Sequence, residues 1–194
     1  MIPLHKTLFC GSCRGRLPAE RRICHPSFPY LLGAATDHEE SVRELIHALK
    51  FAFVRQAAEP LAEILIRYTR TLPLDLKDMI VVPVPLARRR LRERGFNQSE
   101  LIARRFADHL GLPLEAKAIV RTSHKQPQWE IRNFEEKRRN VAGCFSMVNP
   151  EAVRRKKIFL IDDVTTSGAT LFEAAKILKA AGSKTIVALA VAMA

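Results

Sequence analysis

The sequence predicts an α/β protein built on a parallel sheet, and three stretches carry that expectation. Lys157 to Asp162, KIFLID, is an unbroken apolar run of strand length. A helical pattern follows from about Ala169 to Ala181, apolar at Leu171, Ala175, Leu178 and Ala181 and stopped by Gly182. Thr185 to Ala192 is then a second apolar strand. Strands apolar on both faces and alternating with helices read as a parallel sheet covered on both sides.

The remaining elements follow along the chain. The first thirty residues hold three cysteines and four prolines without helical periodicity, which predicts a loop-rich knuckle. From Glu39, the recurrence of Val42, Leu45, Ile46 and Leu49 predicts a helix, with His47 and Lys50 on its other faces. A second helix is predicted over Glu59 to Thr71, with Pro60 tolerated in its first turn and Leu61, Ile64, Leu65 and Tyr68 as its buried stripe. Met79 to Val84 is a β-branched run bounded by proline. Asn97 as N-cap with Glu100 three residues on resembles a capping box. That helix carries Ile102, Phe106 and Leu110 to a stop at Gly111 and Pro113. Leu114 to Arg121 reads as a strand, and Thr122 to Phe134, polar with Pro127 and Trp129, as a long mobile loop. Cys144 in VAGCFSM reads as a small core residue.

Composition bounds the function. The 194 residues suit one sizeable core with a small appendage. The longest apolar run, Ile186 to Ala194, is half of what a membrane span needs. No long apolar run follows a basic start, which predicts no secretory signal and a cytoplasmic setting. In that setting four cysteines argue against a disulfide framework. The formal charge of +12 is uneven: Val81 to Asn140 holds fourteen basic and seven acidic residues, with Arg88, Arg89, Arg90, Arg92 and Arg94 in one short stretch. Such a field suits a pyrophosphate or a nucleic-acid backbone, and by itself suits mere solubility equally well.

The chemistry concentrates after the strand KIFLID. Asp162 and Asp163 arrive at the carboxyl end of the strand, where parallel sheets bind ligands. Thr165, Thr166, Ser167 and Thr170 supply hydroxyls, and Gly168 lets the backbone approach a ligand closely. The N–H groups opening the following helix, from Ala169, form an anion cradle. Phosphate beside a diol-accepting carboxylate pair describes a ribose 5-phosphate. The loop lacks the lysine and spacing of a Walker A motif and the glycines of a dinucleotide fingerprint.

The stretch Ile158 to Leu171, IFLIDDVTTSGATL, resembles the phosphoribosyl-pyrophosphate motif of type I phosphoribosyltransferases. Val81 to Pro113, VVPVPLARRRLRERGFNQSELIARRFADHLGLP, narrows the resemblance to the ComF family of competence-associated, phosphoribosyltransferase-like proteins. LIHALKF at Leu45 to Phe51 and EEKRRNVAGCF at Glu135 to Phe145 resemble the same family. The resemblance implies a type I phosphoribosyltransferase-like fold, with a small zinc-ribbon-like knuckle over 1–29 and the main domain over 30–194. Within that domain 30–78 would be a helical hood and 79–194 the core.

By the same resemblance, Asp162 and Asp163 take the ribose hydroxyls, and Thr165, Thr166, Ser167, Gly168, Ala169 and Thr170 surround the 5-phosphate. The turn at Pro83 to Pro85, with Arg88 and its neighbours, would face pyrophosphate, and magnesium would accompany the ligand. The 122–134 loop would close over substrate, with Lys125, Arg138 and Arg139 as candidate cations. Transfer would pass through an oxocarbenium-like ribose with no protein nucleophile. No acceptor is identified.

Cys10-Gly-Ser-Cys13 has metal-knuckle spacing, and ten residues separate Cys13 from Cys24. Relatives often carry a second Cys-x-x-Cys there, where this chain has Ser27. His25 or His5 would complete a structural Cys3His zinc set; a metal-free knuckle and a redox pair are the alternatives. Two classes of function stand at this point. One is phosphoribose transfer. The other is a nucleic-acid-handling scaffold, for which the resemblance implies single-stranded DNA and a competence helicase as partners. The one Trp and two Tyr offer few stacking surfaces for such a strand.

Overall fold

The computed structural model describes residues 2–17, 24–25, 28–122 and 142–194. The candidate cations Lys125, Arg138 and Arg139, the 122–134 loop beyond Thr122, and Ser27 lie outside the described residues. Thirteen strands and helices are named here: β1 (Phe9–Cys10), β2 (Leu31–Asp37), α1 (Glu40–Lys50), α2 (Ala58–Arg70), β3 (Met79–Pro83), α3 (Arg88–Arg94), α4 (Gln98–Leu110), β4 (Ile119–Arg121), β5 (Phe145–Met147), α5 (Pro150–Val153), β6 (Lys157–Thr165), α6 (Ala169–Ala180) and β7 (Thr185–Met193).

The main sheet runs β1-β2-β7-β6-β3, with β2, β7, β6 and β3 mutually parallel and β1 an antiparallel edge. Its register explains the apolar strands. Ile80, Ile158 and Ile186 lie side by side and face α6 with Leu171, Ala175 and Leu178. Val81, Phe159 and Val187, one residue on, face α1, α2 and α4. Successive side chains point to opposite faces, and both faces here are covered, so every position is apolar. Phe106 of α4 meets Phe159 edge-on, with ring centroids 5.4 Å apart, within the range favoured by aromatic pairs.

The helices predicted from periodicity form close to where expected. α1 buries Val42, Ile46 and Leu49, and α2 buries Leu61, Ile64, Leu65 and Tyr68. Four elements differ from expectation. First, Leu31 to Asp37, within the stretch read as a helical hood, is a core strand next to β7. Its sequence, LLGAATD, hides this because Gly33 weakens a strand pattern. A Cβ at Gly33 would lie 2.5 Å from Leu189 Cδ2 and 3.1 Å from Tyr68 Cε1, so the glycine permits close packing. Second, the arginine-rich segment forms α3, a seven-residue helix burying none of its residues. Third, Leu114 makes a single bridge to Val81, and the strand expected from Leu114 begins only at Ile119. Fourth, Asn97 caps α4 by accepting from Ser99 N at 3.2 Å, but Glu100 pairs with Arg104 at 3.2 Å, so only half of the capping box forms.

Asp37 of β2, Met193 of β7 and Thr165 of β6 stand in register at one edge of the sheet. All four parallel strands therefore deliver their carboxyl ends to the same side.

Candidate functional site: paired aspartates beside a helix cradle

Asp162 and Asp163 end the buried run of β6, 8% and 3% exposed. Each is held by a residue from a different element. Ser99, in the first turn of α4, donates its hydroxyl to Asp162 Oδ1 at 2.9 Å. The same oxygen accepts the Asp163 N–H at 3.0 Å. Lys50, the last residue of α1, places its ammonium on Asp163 Oδ2. The electrostatics then separate the two acids. Burial, and next the charge of Asp163, push Asp162 up to about 7. Burial also pushes Asp163 upward, but the charge and hydrogen bond of Lys50 outweigh it and hold the carboxyl below its ordinary range. At neutral pH the pair thus combines one firmly ionised acceptor with one acid poised to gain or lose a proton.

Neither Ser99 nor Lys50 was expected. Ser99 reads in sequence only as the second residue after a cap. Lys50 reads as the polar face of an amphipathic helix. It reaches the site because α1 starts directly after β2, so its carboxyl-terminal turn comes to β6. His38, between β2 and α1, joins the same edge. Burial first, then the charges of Lys50 and Arg43, lower its pKa, so the ring is neutral at pH 7.

The loop between β6 and α6 has the features of an anion cradle. Gly168, the N-cap of α6, has φ 74°, a conformation that favours glycine. Its carbonyl accepts from Tyr30 Oη at 3.5 Å, and Ala169 N donates to Ser167 Oγ at 3.4 Å. Thr165 is 3% exposed and its Oγ1 has no hydrogen-bond partner among the described residues. A buried hydroxyl left unpaired costs about 1–3 kcal/mol, and a ligand oxygen would relieve that cost.

Opposite the cradle, Val84 N donates to Ile161 O at 2.8 Å and Asn97 Nδ2 donates to Val84 O at 3.0 Å. The Pro83–Pro85 turn is thereby fixed to both β6 and the start of α4. Arg88 is exposed at the start of α3. Arg94, at its end, is half-buried, donates to Gln98 Oε1 at 2.5 Å, and lies close enough to feel the charge of Asp163. The structure therefore brings Asp162, Asp163, Thr165 and the 166–170 loop together, with Lys50 and Ser99 as partners that sequence reasoning missed.

A second cluster lies in the knuckle. The ligand atoms of Cys10, Cys13, Cys24 and His25 all lie within 4.8 Å of one another. Cys10 Sγ is 3.2 Å from His25 Nδ1, and Cys13 Sγ is 3.7 Å from Cys24 Sγ. Tetrahedral zinc with Zn–S near 2.3 Å sets its sulfurs about 3.8 Å apart, so the set fits that ion and can form a zinc knuckle. Hydrogen bonds, the one from the Gly15 backbone foremost, lower the Cys13 thiol, while the hydrogen bond to Cys13 pushes Cys24 up to about 11. His5 is not a member: its Nε2 lies 3.4 Å from Asp37 Oδ1 and its ring meets Phe9 edge-on at 5.2 Å.

Comparison with known proteins agrees with this geometry. Residues 97–194 match the phosphoribosyl transferase domain family. DNA utilization protein YhgH of Escherichia coli O157:H7 is 31% identical over 186 residues, covering 94% of this chain and 76% of its own. Competence protein F of Haemophilus influenzae is 28% identical over 189 residues, covering 92% and 81%. Competence protein ComFC of Bacillus subtilis is 33% identical over 102 residues, covering 53% and 39%. Adenine phosphoribosyltransferase from Leishmania tarentolae superposes over 87% of this chain at TM-score 0.44 and 15% identity, too distant to speak to function. With the aspartate pair, the cradle and the Cys/His knuckle all in place on this fold, the chain belongs to the ComF family of phosphoribosyltransferase-domain proteins.

Proposed function

We propose that the chain binds phosphoribosyl pyrophosphate, or a related ribose phosphate, at the carboxyl ends of β6 and β3. The observation that carries this reading is the divided aspartate pair beside a hydroxyl-rich helix N-terminus whose buried Thr165 hydroxyl is unpartnered. Asp163, kept ionised by Lys50, accepts from one ribose hydroxyl, and Asp162 shares the other. Thr165, Thr166, Ser167, Thr170 and the N–H groups from Gly168 and Ala169 take the 5-phosphate. The Pro83–Pro85 turn with Arg88 and Arg94 faces the pyrophosphate. Magnesium, a hard ion that prefers phosphate and carboxylate oxygens, fits this oxygen-rich edge and would neutralise charge on the leaving group. Transfer of the phosphoribosyl group to an acceptor needs no nucleophile from the chain; its residues bind, orient and exclude water. Zinc in the Cys10, Cys13, Cys24 and His25 set would serve structure, tying the 1–29 knuckle to the 30–194 domain.

Titration with phosphoribosyl pyrophosphate and magnesium tests the site. At one hundred times Kd a ligand adds about 2.7 kcal/mol to stability, which for a chain this long raises Tm by roughly 5–10 °C. Asp163→Asn is expected to abolish the rise while inorganic pyrophosphate alone gives little. A wild-type melt unmoved by the ligand rejects the assignment.

A second reading concerns nucleic acid. The relatives named for DNA utilization and competence, together with the exposed arginines of α3, favour a role in handling single-stranded DNA during uptake, alongside a competence helicase. No described helix is long and apolar enough to cross a membrane. We place this role in the cytoplasm.

A further inference from the structure

The ribose-phosphate site uses Lys50 but not the residues that follow it. The chain leaves α1 as Phe51-Ala52-Phe53-Val54-Arg55, and Phe51, Phe53 and Val54 are 64%, 52% and 42% exposed. Only two other large hydrophobics, Leu91 and Val148, are as open among the described residues. Phe53 adopts φ 57°, a left-handed conformation that a bulky residue occupies only when its surroundings impose it.

This tip is fastened on both sides of Phe53. Phe51 N donates to His47 O at 2.8 Å and Val54 N to Ala48 O at 3.0 Å. The His47 and Phe51 rings lie 4.9 Å apart at 36°. Arg55 donates to Gly95 O at 3.2 Å and stands 5.0 Å over the Phe96 ring. Two phenylalanines are thus presented to water on a fixed turn, rather than left there by a loose one.

Gly95 is the C-cap of α3, so the Arg55 contact sets the aromatic tip beside the arginine helix. That helix carries five arginines against Glu93, which is occupied by Arg89 at 2.8 Å. Leu91, exposed on the same helix, adds apolar surface. Lys50 at one end of this face pairs with Asp163, and Arg94 at the other lies within reach of the Asp163 charge, so the face borders the aspartate site.

Exposed aromatic rings next to a run of cations describe a surface for bases whose faces are uncovered, with phosphates between them. A duplex hides its base faces, and an acidic peptide has no use for two fixed rings. We propose that the Phe51–Arg55 turn and α3 form a docking face for single-stranded nucleic acid, with bases stacked on Phe51 and Phe53 and the backbone on Arg90 and Arg92. For the nature of the ligand this rests on the second reading above. For its place it rests on the exposed turn alone. Trp and Tyr are few in this chain, and the rings exposed on this turn are phenylalanines.

Fluorescence anisotropy of the intact chain with a labelled twenty-residue oligothymidylate, from 50 to 200 mM salt, tests it. Phe51→Ala with Phe53→Ala is expected to weaken binding about tenfold or more with the salt slope unchanged, since stacking carries no counterion release. Arg90→Ala with Arg92→Ala is expected to flatten the slope by about one unit per arginine. A melt shift with phosphoribosyl pyrophosphate, retained in the phenylalanine variant, shows that it is folded. If wild type binds the oligomer and the phenylalanine variant binds equally well, this face is refuted while the nucleic-acid reading stands. If wild type does not bind at all, both fall. Equal affinity for a duplex, or a wild-type dimer that the phenylalanine variant converts to monomer, also overturns the assignment, the latter by making the patch a self-interface.

Discussion

Replacing Lys50 with methionine probes the electrostatics on which the site depends. The substitution keeps the length of the side chain and removes the ammonium from Asp163, whose side chain is 4% exposed against 22% for Lys50. Removing one partner of a buried pair costs about 3–5 kcal/mol, and the partial exposure of Lys50 lowers that to roughly 2–4 kcal/mol because water screens the open end. For a chain of this length, about 2–4 °C accompanies each kcal/mol, so Tm is expected to fall by roughly 4–16 °C at pH 8.5. The loss depends on pH. In wild type Asp163 is held below its ordinary range, so its contribution is present at neutral pH and lost as pH falls through its folded pKa. Asp162, at about 7, has the opposite sign: its contribution is complete below the unfolded value near 4 and is lost as pH rises through 7. Without Lys50 the pair holds a proton to higher pH, so at pH 5.5 protonation relieves the repulsion that remains in full at pH 8.5. Circular-dichroism melts at both pH values, with Lys50→Arg as the charge-preserving control, give the comparison. Equal losses at the two pH values, or no loss, would show that Lys50 does not set the charge of Asp163.

Two further expectations follow from other parts of the chain. Gly168→Ala places a Cβ at φ 74° and 3.0 Å from Tyr30 Oη, and is expected to cost about 1–2 kcal/mol and to weaken phosphoribosyl-pyrophosphate binding, read from Tm with and without ligand. The purified chain is expected to carry one zinc ion, measured by elemental analysis. Cys13→Ser, or a chelator, is expected to remove it and lower the first melting transition; zinc content unchanged in the variant would exclude Cys13 as a ligand.

The strands and helices with strong periodicity were legible because burial on both sheet faces leaves a continuous apolar record, as in KIFLID and TIVALAVAM. β2 was not legible. Gly33 lowers local strand preference, and its value lies in a contact with Leu189 and Tyr68, 156 and 35 positions along the chain, which no local window contains. The capping box failed for a local reason instead. Asn97 capped as expected, but Glu100 had a competing partner, Arg104, one helical turn on.

The sequence by itself pointed to the carboxylate- and hydroxyl-rich loop and to the cysteines of the knuckle, with His25 or His5 beside them. Adjacent carboxylates, clustered hydroxyls and a cap glycine are local chemistry, and Cys10, Cys13, Cys24 and His25 are close enough in the chain to name together. Tertiary structure decided what charges those groups carry. Lys50 reaches Asp163 across 113 positions and Ser99 reaches Asp162 across 63, so the ionised and the near-neutral acid are distinguished only when α1 and α4 pack against β6. Folding also chose His25 over His5 and set two phenylalanines outward beside an arginine helix, because those outcomes depend on where distant backbone segments come to rest.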